Sequence, residues 1–565
     1  MSKCVSFLLA GVVWTAAPCS LTAQPVTDAR VRELTELALA RAEQGQIVPA
    51  GPGVDLTIEA AVARAIDRNL DLAVERLNPR TFDYSIASLL AAYRPTATAS
   101  LSNRSQVTLP NSQLTGVTDK LNTETFSWAG GFSQGVEWGG GSFSVQFTNA
   151  RQDSSNSFAT RNPSFNSTIV TSYTQPLLRN FKIDGTRTSL ETTRISQDVS
   201  EITLEQTTAT TIAGVRNAYW DLVYTIRAVE VAQQSLALAS KLVADNRQRV
   251  EIGTMAPIDV VQAQAEEATR RQAVVQAEQT RRTAELALKR LIVSGTEDEL
   301  WGATINPVDQ PAFSEQPIDL EGAVRRALEH RTDLRRSRKQ LESNDVSLRS
   351  LRNQTLPAVD LTANYELRGL GGTQFERRGL GGSISQIIPG GYIDALSNLA
   401  NFDAPTWSVQ MNVSYPLGTS SADANLARAR LQLQQTEAQI KQLELQVATE
   451  VTNIALQLRS NIERVQAASA ARELSQKRLE AEQSKFEVGL QTNFIVVQAQ
   501  RDLADSQNTE LRAILDYTKS LVDFERVQIA GAGSSVSTIS GAGGGTATAA
   551  ATATGGGGGG GGTIR

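Results

Sequence analysis

The sequence predicts an α+β membrane protein with an internal two-fold repeat. Its short amphipathic strands suit a β-barrel wall shared between copies, and its long helices suit the wall of a wide tube. Three observations carry this reading. First, Arg249-Val-Glu-Ile-Gly-Thr-Met-Ala-Pro-Ile-Asp-Val-Val-Gln-Ala-Gln264 returns without a gap as Lys485-Phe-Glu-Val-Gly-Leu-Gln-Thr-Asn-Phe-Ile-Val-Val-Gln-Ala-Gln500. Likewise Leu56–Pro95 lies on Ile318–Pro357, with Glu59/Glu321, Ala65/Ala327, Asp71/Asp333 and Pro95/Pro357 coincident. A repeat of this kind sets the architecture, because one unit can depend on the next to bury its apolar face. Second, two stretches keep a helical pattern over unusual lengths. Third, the segments between helices alternate polar and apolar residues with period two.

Taken in order, Lys3, the apolar stretch Val5 to Ala17 and Leu21-Thr22-Ala23 before Gln24 read as a secretory signal, residues 1–23. A lipoprotein cleavage before Cys19 is the lesser alternative, since Pro18 stands where a small flexible residue is wanted. Cys4 and Cys19 are the only cysteines, so the processed chain would offer no thiol to a disulfide or a metal. Residues 24–53 form an extension with a short amphipathic run, Val31, Leu34, Ala38 and Ala42.

The first repeat spans 54–296. A helix is expected over 57–93, strands over 96–107 and 165–176, a long helix over 186–251 and a shorter one over 257–293. An additional hairpin, Phe126–Val136 and Ser142–Asn149 turned by Gly139-Gly140-Gly141, either adds strands to the barrel or caps its extracellular side. Along the long helix Ile195, Val199, Ile202, Ala209, Ile212, Tyr219, Leu222, Ile226 and Val229 follow at close to a 3.5-residue period, as in coiled-coil packing. At 1.5 Å per residue it would reach about 100 Å.

After a linker, 297–317, the second repeat spans 318–530. It has a helix over 319–355, strands over 357–368 and 406–416, a long helix over 422–487 and a final one over 493–526. Here Ile440, Leu443, Val447, Val451, Ile454, Leu458, Ile462 and Val465 approach an eleven-residue repeat, which permits straighter helices suited to a wide tube. The shorter helices are roughly half as long as the long ones, so two end to end could match one. Residues 531–565 are nearly all Gly, Ala, Ser and Thr with almost nothing to bury, and should be disordered.

In the strands, Val359, Leu361, Ala363, Tyr365 and Leu367 alternate with Asp360, Thr362, Asn364 and Glu366. Trp407, Val409, Met411, Val413 and Tyr415 alternate with Ser408, Gln410, Asn412 and Ser414. One apolar and one polar face with aromatics near the ends suits a strand between lipid and water, although a half-buried sandwich strand alternates in the same way. The signal and the repeat favour the membrane. Four such strands per chain cannot close, and lipid tolerates no open sheet edge. Several copies must therefore share one barrel.

Composition narrows the function. A net charge of −5 gives no basic footprint for nucleic acid. The one histidine, His330, lies in a helical stretch beside Glu329 and Arg331 and reads as a solvated surface residue. No catalytic, cofactor-binding or metal-ligating constellation is expected, so the chain reads as a non-enzyme. Past the signal no apolar run approaches the roughly 20 residues of a spanning helix.

The chain resembles the TolC-like outer-membrane efflux proteins. The likeness rests on Leu56–Ala61 (Leu-Thr-x-Glu-x-Ala), Gln175-Pro176-Leu177-Leu178-Arg179, Ala218-Tyr219-Trp220-Asp221-Leu222, the duplicated Val/Ile-Gly turn, and Tyr415-Pro416-Leu417. It covers about residues 54–530. The resemblance implies a homotrimeric barrel with four strands per chain, continuous with a long periplasmic α-helical barrel. It also implies a passive outer-membrane channel of a tripartite efflux or type I secretion system, energised by an inner-membrane pump through a periplasmic adaptor. Under it, Gly253, Thr254, Gly489 and Leu490 sit where the family docks its adaptor, although glycine at such turns is equally what a helix–helix turn needs. Asp259, Gln491, Ile495 and Gln498 fall at the periplasmic entrance. Ile495 and Gln498 replace two constriction aspartates, and Gln491 a gating arginine, so an iris held by packing is expected in place of a carboxylate ring. A secreted coiled-coil stalk or adhesin anchored by a small barrel is the alternative.

Overall fold

The computed structural model describes residues 53–109, 120–310, 317–379, 382–418 and 420–531. The expected signal with Cys19, the extension up to Pro52 and the tail from residue 532 lie outside the described residues.

The chain enters through β1 (Gly53–Leu56), followed by three helices, α1 (Ile58–Arg68), α2 (Leu70–Glu75) and α3 (Asn78–Leu90), where one was expected over 57–93. Asn69 makes the first break. Its side chain accepts from the Leu72 amide and donates to the Leu291 carbonyl at 2.9 Å, so it caps α2 and ends α1. Pro79 opens α3, where its missing N–H costs nothing. Four strands follow: β2 (Thr96–Thr108), β3 (Leu121–Gly135), β4 (Ser142–Ser154) and β5 (Arg161–Pro176). Then come α4 (Gly185–Glu251), α5 (Pro257–Ile292), the short α6 (Glu299–Gly302) and β6 (Thr304–Pro307), which pairs in parallel with β1.

The second half has elements in the same order: α7 (Leu320–His330), α8 (Thr332–Gln354), β7 (Ala358–Arg377), β8 (Ile384–Ile388), α9 (Tyr392–Ala400), β9 (Pro405–Ser414), α10 (Ser421–Glu487) and α11 (Asn493–Val527). The helix expected over 319–355 also breaks, at Arg331, which takes φ −63°, ψ 130°, close to the values at Asn69. There the buried guanidinium pairs with Asp333 and Glu450.

One antiparallel sheet runs β2-β3-β4-β5-β7, with β9 on the near part of β7 and the short β8 on its far part. This corrects the expectation of four strands. The extra hairpin is neither flap nor cap, but lies in the sheet as β3 and β4, so the chain supplies six long strands. The register explains why. Trp128 stands opposite Leu101 and Asn149, Phe132 opposite Ala97 and Val145, and Phe147 opposite Gly130 and Ile169. Directly opposed residues share a face, so the hairpin carries the same two-faced pattern as its neighbours and pairs on both sides. Trp128 packs edge-on against Phe147 with centroids 5.3 Å apart.

The result is a continuous apolar face and a continuous polar one. Leu101, Phe132, Val145, Ile169, Leu361 and Met411 mark the first; Ser102, Ser127, Gln146, Ser172, Asn364 and Gln410 mark the second. The apolar face is uncovered over β9, where Val409 is 62% exposed. At one end of the sheet β2, β5, β7 and β9 connect to helices; the other end carries loops, β8 and α9.

The helical part answers the end-to-end expectation. The long α4 and α10 run its length. Beside the sheet-proximal part of α4 lies α8, joined by Lys339–Asp198 and Arg349–Glu191, both 2.8 Å. Farther along, α11 takes over, with Lys519 at 2.7 Å from Asp221 of α4, while Arg472 of α10 lies 2.7 Å from Glu510 of α11. On the other side of α4, α3 gives way to α5. The join is packed where β1 and β6 meet α4: Leu56, Val215, Tyr219, Leu222, Leu288, Ile292 and Ile305 form one buried cluster. The Tyr219 hydroxyl donates to the Leu56 carbonyl and to Asp309, and burial raises its pKa to about 12, keeping it neutral.

Candidate functional site

The end of the helical part farthest from the sheet is formed by two tight turns, α4–α5 and α10–α11. They have the same geometry. Gly253 takes φ +79° and Gly489 φ +78°, the left-handed conformation that side chains disfavour. The Thr254 amide donates to Arg249 O at 2.9 Å and the Leu490 amide to Lys485 O at 2.9 Å, while Gly253 and Gly489 donate to Val250 and Phe486 carbonyls. Each is a Schellman-type end that satisfies otherwise orphaned helix carbonyls. No atom lies within 4 Å of where a Cβ would stand on either glycine, so conformation alone, not crowding, demands glycine there.

The two turns are tied together. The Arg249 guanidinium lies 4.4 Å over the Phe486 ring and also donates to the Phe486 carbonyl, a cation–π contact linking α4 to α10. Beneath it Leu242, Leu479, Phe486, Val496, Ala499 and Leu503 form a buried cluster, with Met255 and Val497 packed on its margin. Beyond the cluster the tips are apolar and open: Ile252, Ile258, Val488, Leu490 and Phe494 are all exposed, Leu490 at 78%.

Of the residues expected at the entrance, Asp259 lies in the first turn of α5, and its carbonyl accepts from the side-chain amide of buried Asn493 at 3.5 Å. Gln491, in the second turn, donates to Glu482 at 2.7 Å, and Gln498 donates to Asp502 at 2.8 Å. Lys485, then Gln491, holds the Glu482 carboxyl below its ordinary pKa. Ile495 is half-buried at the start of α11 beside Val496. The structure thus brings Asp259 near Asn493. Gln491 and Gln498 turn toward carboxylates on their own hairpin.

Sequence reasoning missed the strongest polar contact here. Glu266 of α5 is buried, its Oε1 held by Arg270 at 2.8 Å and its Oε2 by two guanidinium nitrogens of Arg501 of α11. Burial alone would raise its pKa, but the two guanidinium groups outweigh that and lower it. Glu266, Asn493, Gln498 and Arg501 line a cavity of about 320 Å³ between α5 and α11. Only the Glu266–Arg270 spacing was visible in the sequence; the partner on α11 depends on how the hairpins pack.

Among the described residues no group of His, Cys, Asp or Glu is placed to hold a metal, and no helix is long and apolar enough to cross a membrane. A family model described as outer membrane efflux protein matches residues 142–293 and 323–527, more than half the chain. No curated protein matches the sequence significantly. Among solved structures, the chain is similar to CusC (TM-score 0.61, 15% identity, covering 85% of this chain and 93% of that one), whose structures concern transmembrane channel formation. It is also similar to the CmeC outer membrane channel of Campylobacter jejuni (TM-score 0.60, 13% identity, covering 84% and 85%). The open state of the MtrE outer membrane channel of Neisseria gonorrhoeae is a third (TM-score 0.56, 17% identity, covering 84% and 89%). At these identities the likeness is one of fold.

Proposed function

Because the chain belongs to the outer membrane efflux protein family, we propose that three copies form a passive exit duct through the outer membrane, with the helical part in the periplasm. Members of this family are channels, not enzymes, and work with periplasmic adaptors and inner-membrane pumps. The observation that carries the duct reading is the two-faced sheet of six long strands and the short β8, whose β2 and β9 edges have no partner among the described residues. Its apolar face meets lipid, its polar face meets water, and β2 and β9 are each left with an unpaired edge. Six is even, so β9 of one copy runs antiparallel to β2 of the next, and a ring of copies closes without a parallel seam.

Three copies would give eighteen strands. With strands about 4.8 Å apart and tilted about 40°, such a wall is about 36 Å across, against about 24 Å for twelve. That width leaves a water-filled lumen and leaves selection of cargo, whether a small molecule or a secreted polypeptide, to the pump. A stalk or adhesin has no use for a broad polar inner wall.

At the periplasmic end we assign adaptor docking to the turns at Gly253, Thr254, Gly489 and Leu490, whose exposed apolar tips fit a partner helix hairpin. The entrance at Asp259, Gln491, Ile495 and Gln498 would be held closed by the packed cluster around Phe486 and Val496, and by the Glu266–Arg501 tie, instead of by a ring of carboxylates. Strong block of single channels by trivalent cations, mapped to this site, would contradict that. Mass measurement in mild detergent tests the duct: a trimer is expected, and a lone monomer would overturn it.

A further inference from the structure

We infer that α9 is an external anchor that lies along the sheet's lipid-facing side, at the head-group boundary of the leaflet remote from the helical part. The inference rests on the membrane reading above and adds a lipid contact to it.

The side of the sheet is fixed by register. β5 and β7 pair without interruption from Ser164 to Pro176, so Gly369 and Gly371 share the face of Leu361, Ala363, Tyr365 and Leu367. Both glycines point at α9: a Cβ on Gly369 would stand 1.9 Å from Ala395 O, and one on Gly371 2.2 Å from Gly391 O. Tyr392 packs against Phe165, which faces Gly371, and donates its hydroxyl to Asn149 at 2.9 Å on the same face. The Asn398 amide adds a bond to Leu370 O at 2.9 Å. The helix is therefore docked on the outer wall, not folded into the lumen, and the small residues of β7 exist to let it approach.

The level is fixed by length. About ten residues of a tilted strand cross the hydrocarbon. Counted from Ala358, the crossing ends near Arg368, just past the opposed pair Tyr365 and Trp407 at the aromatic level. Gly369 and Gly371, and α9 upon them, come next. The outward side of α9 is mixed, with exposed Ile393 beside exposed Asp394, Ser397 and Ala400. Ile393 is 79% exposed, and Phe402, just past the helix, is exposed as well. The helix carries no basic residue, and its one charge, Asp394, is engaged by the Gly391 amide at 2.7 Å. Two exposed large apolar side chains set among short polar ones, level with the top of the lipid-facing band, fit the boundary where upper acyl chains meet the head groups.

Cys4 and Cys19 are the only cysteines, so with both changed to serine, single cysteines can carry a nitroxide. Labels at Ile393→Cys, Phe402→Cys, Val409→Cys and Gln410→Cys are compared in phosphatidylcholine vesicles containing some phosphatidylglycerol. Collision with oxygen, which partitions into lipid, is measured against a nickel chelate, which stays in water. The expected result is an oxygen-to-nickel ratio several-fold higher at 393 and 402 than at 410, and lower than at 409. Nickel-dominated labels at 393 and 402 with 409 still in lipid would overturn the anchor alone. A 409 label in water would overturn the membrane reading itself. Labels at 393 and 402 shielded from both reagents would mean a protein covers α9, and would equally refute lipid contact.

Discussion

Gly253 and Gly489 were legible in the sequence because a turn with positive φ leaves a glycine behind, and the repeat showed it twice. Holding a side chain in that conformation costs about 1–2 kcal/mol, little against a whole trimer. Gly489→Val with Gly253→Val should therefore leave assembly intact while distorting the tips. Export of a reporter cargo is expected to fall at least several-fold; unchanged export would remove the turns from the docking site. Glu266 was not legible, since its partner Arg501 lies on another hairpin and only packing brings them together. Its carboxyl titrates below the ordinary value of about 4.3. Its stabilising contribution is thus present above that value and is lost as pH falls through the lowered folded pKa. Glu266→Gln should cost about 1–3 kcal/mol at neutral pH. The gap in melting temperature between parent and variant should close on acidification below about pH 4; a gap that is the same at every pH would show that the pair does not titrate as described.

Among elements, the long helices were visible as periods, with observed bounds Gly185–Glu251 and Ser421–Glu487 close to those expected. Six strands were expected where six long ones stand, although β7 runs on to Arg377, well past the expected 368. The place of the β3–β4 hairpin was not visible, because an alternating ribbon reads the same within a barrel wall or above it; only the pairing with β2 and β5 decides. The helix breaks were half visible. Asn69 is a ready capping residue, but nothing in the local sequence marks Arg331, whose break is held by Glu450 far along the chain. Faces of a strand make a sharp prediction. Val409→Arg puts a charge on the lipid side near mid-membrane and should cost about 2–4 kcal/mol of folding in vesicles. Gln410→Arg, one residue on, faces the lumen and should be nearly silent. Equal effects in urea titrations of the two reconstituted variants would mean that the sheet does not stand between lipid and water.

For the whole molecule, everything follows from a sheet too narrow to close on itself whose edges must be paired. The sequence carried that argument with four strands, and the structure carries it with six, which changes the bore but not the need for neighbours. Deleting residues 121–154 would leave β2 and β5 antiparallel and free to pair directly, so the shortened chain should still assemble, with its barrel narrowed from about 36 Å toward about 24 Å in images of the particle. An unaltered width would place the hairpin outside the wall. The most direct measurement is an image of the intact, detergent-solubilised particle at a resolution that separates strands. It should show three-fold symmetry, an eighteen-strand wall and a helical tube leading from one rim; a single copy with its β2 and β9 edges bare, or with its sheet closed upon itself, would contradict the shared barrel.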